Sequence, residues 1–111
     1  MLHTKALKPS HREKKRYIVY EVHTELDMPK VQKALVDKLT ELLGVFMAAQ
    51  AGILPVKFSH NRGIIRVNHT AVDYIKACFV MITELAGQPV QLKSVVVSGV
   101  LKKASEQLAQ K

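Results

Sequence analysis

The order in which helical and strand-like hydrophobic patterns alternate restricts the fold of this chain more than any other feature of its sequence. Apolar side chains recur every three or four positions in two long stretches, as on one face of a helix, and form β-branched runs elsewhere. The predicted strands cover 16–24, 53–59, 62–67 and 90–100. The predicted helices cover about 28–50, 70–86 and 101–111. The chain therefore has the order β-α-β-β-α-β, with a helix added at the C-terminus.

This order of elements is that of the ferredoxin-like fold, which RNA-recognition motifs share. We predict an α+β sandwich in which two helices cover one face of a four-stranded antiparallel sheet. The 111 residues suffice for one hydrophobic core, so we expect a basic N-terminal segment over 1–15 and a single domain over 16–111. Gly44 is a weak point inside the first helix. The stripe predicted to bury this helix consists of Val31, Ala34, Leu35, Leu39, Leu42 and Phe46.

Positive charge is concentrated at the two ends of the chain. Residues 1–16 hold six Lys or Arg against one Glu, residues 17–100 hold eight against seven acidic side chains, and residues 101–111 hold three against one. A small domain with a formal net charge of +8 typically meets nucleic acid or an anionic membrane surface. No apolar run reaches the roughly 18 residues that span a bilayer. We therefore expect no membrane insertion and a cytoplasmic location, which the single cysteine also favours. The charge alone leaves three interpretations open: nucleic acid as the partner, an anionic membrane surface, or a generally basic protein without such a partner.

The sequence shows no arrangement of residues suited to catalysis or to metal binding. The five histidines have no short ligand spacing, and Cys78 is the only cysteine that could join them. Aspartates at the predicted helix starts are typical of caps rather than of paired acid and base groups. We therefore predict no catalytic residue, no bound cofactor and no metal ligand in the polypeptide.

The third predicted strand indicates whether RNA could be read across the sheet. In RNA-recognition motifs this strand carries Lys/Arg-Gly-aromatic-Gly/Ala-Phe-Val, whose rings stack on bases. Here the run is RGIIRV over 62–67, with Ile64 and Arg66 at the positions of the stacking rings. Stacking worth about 1–3 kcal/mol per base is not available there, so we predict no sequence readout across the sheet.

Alternation along the same strand predicts an apolar patch on the second face of the sheet. If Ile65 and Val67 face the helices, Ile64 faces the other way, with Val19 and a valine of the last strand as neighbours. The C-terminal helix, a protein partner or both must cover such a face, since a short helix covers only part of a sheet. The predicted protein-interface residues are Val19, Ile64, Val95 and Val97, of which either Val95 or Val97 is the neighbour.

Three segments together resemble one known protein family. They are LKPSHREKKRYI over 7–18, RGIIRV over 62–67 and VSGVLKK over 97–103, and the resemblance extends over about residues 7–105. The family is the archaeal and eukaryal ribonuclease P protein component 2, the small subunit that eukaryotes share with ribonuclease MRP. The chain resembles its archaeal type.

The resemblance implies a subunit of ribonuclease P, a ribonucleoprotein endonuclease that removes the 5′ leader from precursor tRNA. The RNA of that enzyme performs the hydrolysis with bound magnesium, so the polypeptide alone would be non-catalytic. The implied partners are the ribonuclease P RNA, a TIM-barrel subunit called component 3, precursor tRNA indirectly, and a second copy of the chain within a heterotetramer.

Basic side chains are expected to bind the phosphates of structured RNA. Pro9 and the Ser10-x-x-Glu13 pattern indicate a capped turn that would hold the N-terminal charges rigidly against strand one. The predicted RNA-binding residues are Lys8, Arg12, Lys14, Lys15, Arg16, Arg62, Arg66, Lys102 and Lys103. Two alternatives stay open, a generic module that binds structured RNA and a protein-interaction adaptor of the same fold.

Overall fold

A computed structural model of the chain describes residues 14–108, which form six strands and three helices. The strands are β1 (Lys15–His23), β2 (Leu54–Phe58), β3 (Arg62–Asn68), β4 (Glu84–Leu85), β5 (Gln88–Pro89) and β6 (Gln91–Ser98). The helices are α1 (Met28–Ala51), α2 (Val72–Met81) and α3 (Leu101–Leu108), and a 3-10 turn at His69–Ala71 leads into α2.

The four long strands form one antiparallel sheet in the order β2-β3-β1-β6. β1 lies in the interior of the sheet and pairs with both β3 and β6. The predicted element order and the ferredoxin-like fold class are confirmed.

The second helix is shorter than predicted. It ends at Met81, because Ile82 has an extended backbone (φ −86, ψ 115). The following residues form a small hairpin of β4 and β5. Ala86 and Gly87 at its turn both have positive φ, 51 and 79, which is the backbone of a tight two-residue hairpin turn. Residues 82–86, which were predicted to continue the helix, therefore belong to an extended segment and to this hairpin.

Helices α1 and α2 pack on one face of the sheet and form the main core with it. Alternate side chains of the two central strands point into this core, and each is no more than 1% exposed. They are Ile18, Tyr20 and Val22 of β1, and Ile65 and Val67 of β3. The prediction that Ile65 and Val67 face the helices is confirmed.

Helix α1 is interrupted at Gly44, where φ is 84 and ψ is 161. Val31, Leu35 and Leu39, which precede the break, are fully buried, as the apolar stripe predicts. The prediction is wrong for Leu42 and Phe46, which are 39% and 86% exposed. The positive φ of Gly44 breaks the helix, so Phe46, which follows it, does not continue the stripe that faces the core. Leu42 precedes Gly44, and the break does not account for its exposure.

Helix α3 lies across the second face of the sheet. Ala104 and Leu108 of α3 pack against Val19 and Ile64, and neither Val19 nor Ile64 has exposed surface. The sequence left open whether the C-terminal helix, a protein partner or both cover this face, and the structure shows that the helix covers it over Val19 and Ile64. Val19 and Ile64 are therefore unavailable to a protein partner while α3 is in place.

An irregularity in strand pairing decides which valine of β6 lies beside Val19. Val19 pairs with Val96 and the next residue of β1 pairs with Ser94, so Val95 is an extra residue in a bulge. Val95 and Val96 pack with the second-face cluster, whereas Val97 packs against the main core. The direct cross-strand partner of Val19 is therefore Val96, which was not predicted; Val95 joins the same face, and Val97 does not.

Position 63 of β3 must be glycine because the ring of Tyr20 lies very close to it. The two residues are opposite each other in the pairing of β1 with β3. A Cβ atom at position 63 would lie 2.5 Å from Cζ of Tyr20, which is closer than any stable carbon contact. Tyr20 is fully buried and packs edge-on against Phe79, so its ring has no free space to move into.

We predict that Gly63→Ala lowers the free energy of unfolding by at least about 2 kcal/mol, because the added methyl group overlaps a ring fixed in the core. Urea unfolding followed by circular dichroism measures this. In the background of Tyr20→Leu the same substitution should cost much less. Equal costs in the two backgrounds would show that Tyr20 is not the reason for a glycine here.

Candidate nucleic-acid interface

Basic side chains from three elements meet at one end of the sheet. β1 begins there, and the pairings of Tyr17 with Arg66 and with Ser98 show that β3 and β6 end there. Helix α3 begins at Leu101, directly after the turn that follows β6. We call this group of side chains the basic end; it comprises Lys14, Lys15, Arg16, Arg66, Lys102 and Lys103.

Arg16 of β1 lies beside the turn between β6 and α3. Its Nη1 donates a hydrogen bond to the carbonyl oxygen of Lys15 at 2.9 Å. The guanidinium also passes Gly99, where a Cβ atom would lie 3.5 Å from Nη1. In the same turn, the Ser98 hydroxyl oxygen accepts a hydrogen bond from the Val100 N–H at 3.0 Å. The VSGV part of the sequence thus forms a turn against which Arg16 lies.

Asn68 fixes the start of β1 to two other elements, and sequence reasoning missed it. Its side-chain oxygen accepts a hydrogen bond from the Lys15 ammonium, and its amide donates to the carbonyl oxygen of Gln50 in α1. The next residue, His69, donates its backbone N–H to the Lys14 carbonyl at 2.8 Å. The only sequence signal is a polar residue at the end of a β-branched strand, and its burial depends on contacts that the sequence does not display.

The charges of the basic end are not neutralised by carboxylates of the described residues. Within residues 14–108, the ion pairs involve His23, Lys38, Arg62 and Lys93, none of which belongs to the basic end. Both lysines of α3 are exposed, as are Lys14 and Lys15, whereas the two arginines are half-buried. Nε of Arg66 is buried and has no hydrogen-bond partner in this part of the chain. The group can therefore offer several cations to an anionic ligand.

Arg62 does not join the basic end, and the structure does not support its predicted contact with RNA. It pairs with Glu21 near the other end of β1, and the two side chains are only 13% and 14% exposed. Nε and Nη2 of Arg62 lie 3.1 and 3.0 Å from one oxygen of Glu21. Nη1 donates a hydrogen bond to the carbonyl oxygen of Gln107 at 2.7 Å. The guanidinium is thus engaged inside the protein.

Two of the predicted RNA-binding residues, Lys8 and Arg12, lie outside the described residues. So does the capped turn predicted at Ser10 to Glu13. Their roles stay predictions.

The sheet face on which RNA-recognition motifs stack bases is closed here. Helix α3 covers it over Val19 and Ile64. Tyr17, the aromatic residue on this face of β1, is half-buried in the same cluster. Contacts to RNA would therefore be made by cations at the basic end and not by rings across the sheet.

The structure offers no metal site and no membrane-spanning helix in the part of the chain it describes. Over residues 14–108, no three His, Cys, Asp or Glu side chains come close enough to hold a metal ion. None of the helices there combines the length and the apolar composition needed to cross a bilayer. Cys78 is buried beside the main core, where desolvation raises the pKa of its thiol.

A second surface stands out because it is apolar and exposed. It surrounds the break in α1, and we call it the 42–47 patch; its members are Leu42, Val45, Phe46 and Met47. Val45 and Phe46 are 77% and 86% exposed, although most large apolar side chains of this size are buried in folded domains. Adjacent exposed apolar residues of this kind are typical of protein-protein contacts.

The fold and the basic end define a ferredoxin-like protein with cations gathered at one end of its sheet. Residues 16–109 match the model of the Rpp14/Pop5 family, and the chain belongs to that family. Among curated proteins, it is 32% identical to ribonuclease P protein component 2 of Methanosarcina mazei, over 96% of this chain and 93% of that protein. It is 33% identical to the protein of the same name from Archaeoglobus fulgidus, over 89% and 92% of the two chains.

A solved structure supports the fold assignment independently. The chain is similar to a subunit in the cryo-EM structure of yeast ribonuclease MRP, with a TM-score of 0.58. The match covers 86% of this chain and 92% of that one at 18% sequence identity. At that identity the likeness concerns the fold alone.

We predict that the interactions of Glu21 make stability depend on pH in the acidic range. Hydrogen bonds from His23 and Arg62, with the charge of Lys93, hold the pKa of the Glu21 carboxyl below its usual range. Glu21 therefore contributes stability above its unfolded pKa of about 4.3, and this contribution is lost as the pH falls through the lower folded value. The urea midpoints of wild type and Glu21→Gln should differ most near pH 6 and converge toward pH 3.

The matched control is Glu41→Gln. Glu41 is 70% exposed and pairs only with Lys38 within the described residues, at 3.5 Å. Its substitution should change the midpoint little at any pH, since exposed ion pairs contribute little. A constant difference for Glu21→Gln across the pH range would contradict the assigned interactions.

Proposed function

We propose that this chain is a protein subunit of ribonuclease P, which binds the RNA of the enzyme and supports removal of the 5′ leader from precursor tRNA. The observation that carries the proposal is the basic end, where six cations from three elements meet without acidic partners among residues 14–108. Family membership and relatives called ribonuclease P protein component 2 support it. The enzyme acts in the cytoplasm.

The polypeptide supplies binding, and the RNA with its magnesium ions supplies the chemistry. Cations that neutralise RNA phosphates release counterions, so this binding is favourable and strongly dependent on salt. Contacts to phosphates fix the position of the protein on the RNA without reading its sequence. The side chain of Arg16 lies against Gly99, and that of Lys15 donates a hydrogen bond to Asn68, so both are positioned before RNA binds. This reduces the side-chain entropy that is lost on binding.

The test combines RNA binding with reconstituted cleavage. In the variant Arg16→Ala/Lys102→Ala/Lys103→Ala, up to three phosphate contacts are removed. The slope of log K against log salt should then become less steep by about 2 to 3, at roughly 0.9 for each lost contact. The same variant should fail to support cleavage of precursor tRNA by the ribonuclease P RNA at limiting magnesium.

The matched control removes three exposed lysines elsewhere, on the two helices of the main core, as Lys30→Ala/Lys33→Ala/Lys76→Ala. It loses the same charge, and its slope and cleavage should stay close to those of wild type. Equal losses in both variants would contradict a defined binding surface. Each component is also omitted in turn. Cleavage by the protein without RNA would identify a free-standing enzyme, and RNA binding without support of cleavage would favour a generic RNA-binding module.

The protein partners implied by the family are the TIM-barrel component 3 and a second copy of this chain. We assign protein contacts to the 42–47 patch, because Val19 and Ile64 are covered by α3. Burial of the Phe46 ring by a partner would remove apolar surface that is almost fully exposed in this chain.

We predict that Phe46→Ser weakens association with a protein partner by at least about tenfold, because exposed aromatic side chains often dominate such interfaces. Isothermal titration with component 3 and sedimentation of the chain alone measure the two associations separately. The free energy of unfolding should change little, since Phe46 makes little contact within the chain.

The control is Val80→Ser, which changes an equally exposed apolar residue on α2. It should leave both associations unaltered. If Val80→Ser weakens association and Phe46→Ser does not, the partner surface lies on α2.

A further inference from the structure

We infer that Arg62 and Glu21 are positioning residues, which hold α3 on the sheet and thereby place Lys102 and Lys103 for RNA. This inference rests on the proposed function. It assigns to Arg62 a role that differs from a phosphate contact, although its place in the RGIIRV segment suggests one.

The geometry places Arg62 between β1 and Gln107 of α3. All three guanidinium nitrogens are used: Nε and Nη2 face the Glu21 carboxylate, and Nη1 binds the Gln107 carbonyl at 2.7 Å. Arg62 and Glu21 are opposite each other in the pairing of β3 with β1, so the sheet itself fixes their relative position. One planar side chain therefore joins the sheet to the helix.

Few side chains of α3 are buried against the sheet. Among its described residues, 101–108, Ala104 is fully buried but small, and Leu108 is partly buried. Because so little apolar surface is buried, packing alone holds α3 on the sheet weakly. The contacts that Arg62 makes with Gln107 and Glu21 therefore matter for the position of α3.

Glu21 is required for Arg62 to play this part. A guanidinium that is 13% exposed would be costly to bury without a partner, and Glu21 supplies a carboxylate that is equally sheltered. His23 lies 2.9 Å from the second oxygen of this carboxylate, which keeps Glu21 in place. Loss of either residue of the pair should therefore release the end of α3.

The pair is distant from the basic end, so its effect on RNA must pass through α3. On β1, Glu21 is four residues from Tyr17, which corresponds to about 13 Å along a strand. Arg62 holds α3 at Gln107, whereas Lys102 and Lys103 are in its first turn. When α3 is held at Gln107 as well as at its start after β6, the two lysines keep one orientation relative to Arg16 and Arg66.

Substitution of Glu21 tests the inference because charge and positioning predict opposite results. Glu21→Ala removes a negative charge, and counterion release alone predicts RNA binding that is unchanged or tighter. Positioning predicts binding weaker by about tenfold, the effect of losing one or two ordered phosphate contacts. Tighter or unchanged binding would overturn the inference. If Glu21→Ala fails to fold, Glu21→Gln, which keeps the shape, carries the same test.

A double-variant cycle separates positioning from direct contact. Arg62→Ala should weaken RNA binding in the wild type but have almost no effect in the background of Lys102→Ala/Lys103→Ala. If Arg62 contacts a phosphate itself, its substitution should cost the same in both backgrounds and reduce the salt slope by about 0.9 in each. Additive losses of that kind would overturn the inference.

The control is Lys93→Ala, and a structural readout completes the test. Lys93 is 70% exposed and also faces Glu21, but within the described residues it has no hydrogen bond to α3. Its substitution changes the charge as Arg62→Ala does and should leave RNA binding unaltered. Hydrogen exchange at the Ala104 amide, which bonds to Val100, should accelerate in Arg62→Ala but not in Lys93→Ala. Failure of the wild type to bind RNA would overturn the proposed function and this inference with it. Normal binding by the wild type with unchanged binding by Glu21→Ala would overturn this inference alone.

Discussion

The pairing of β1 with strands on both of its sides is the constraint on which the rest of the structure depends. β3 and β6 are hydrogen-bonded to it along most of its length. Because the side chains of a strand alternate, this pairing fixes two faces at once. Tyr20 and its neighbours point into the main core, where the ring requires glycine at position 63. Val19 points to the other face, which α3 closes.

The same pairing brings the functional charges together. Arg16, Arg66 and the lysines of α3 are far apart in sequence, but β1 begins where β3 and β6 end. These cations thus lie on paired strands and on the helix that packs against them. At the other end of β1, the strands place Glu21 opposite Arg62, and their ion pair links the sheet to α3. One strand therefore organises both the binding surface and the contact that holds its helix.

The two exposed features of the surface differ in chemistry and fit different partners. The basic end offers cations and suits the phosphates of a structured RNA. The 42–47 patch offers the ring of Phe46 and three aliphatic side chains around the break in α1 at Gly44. A subunit with these two surfaces can join an RNA to another protein, which agrees with the role proposed for it.

The alternation of hydrophobic patterns determined the element order, the ferredoxin-like class and the buried residues of β1 and β3, because periodicity is a local property of the chain. The sequence also placed the positive charge at the two ends of the chain. It could not reveal the exposure of Phe46, since that depends on the backbone angles adopted at Gly44. A short helix pattern also does not disclose which face of the sheet the helix will cover.

Only the tertiary structure showed that the two arginines of the RGIIRV segment have different roles. They have the same chemistry and lie on the same face of one strand, so the sequence treats Arg62 and Arg66 alike. The strand opposite gives Arg62 a carboxylate, Glu21, and gives Arg66 the ring of Tyr17. Whether a charge is free to bind RNA or engaged in the fold depends on its neighbours across the sheet, and those neighbours are distant in sequence.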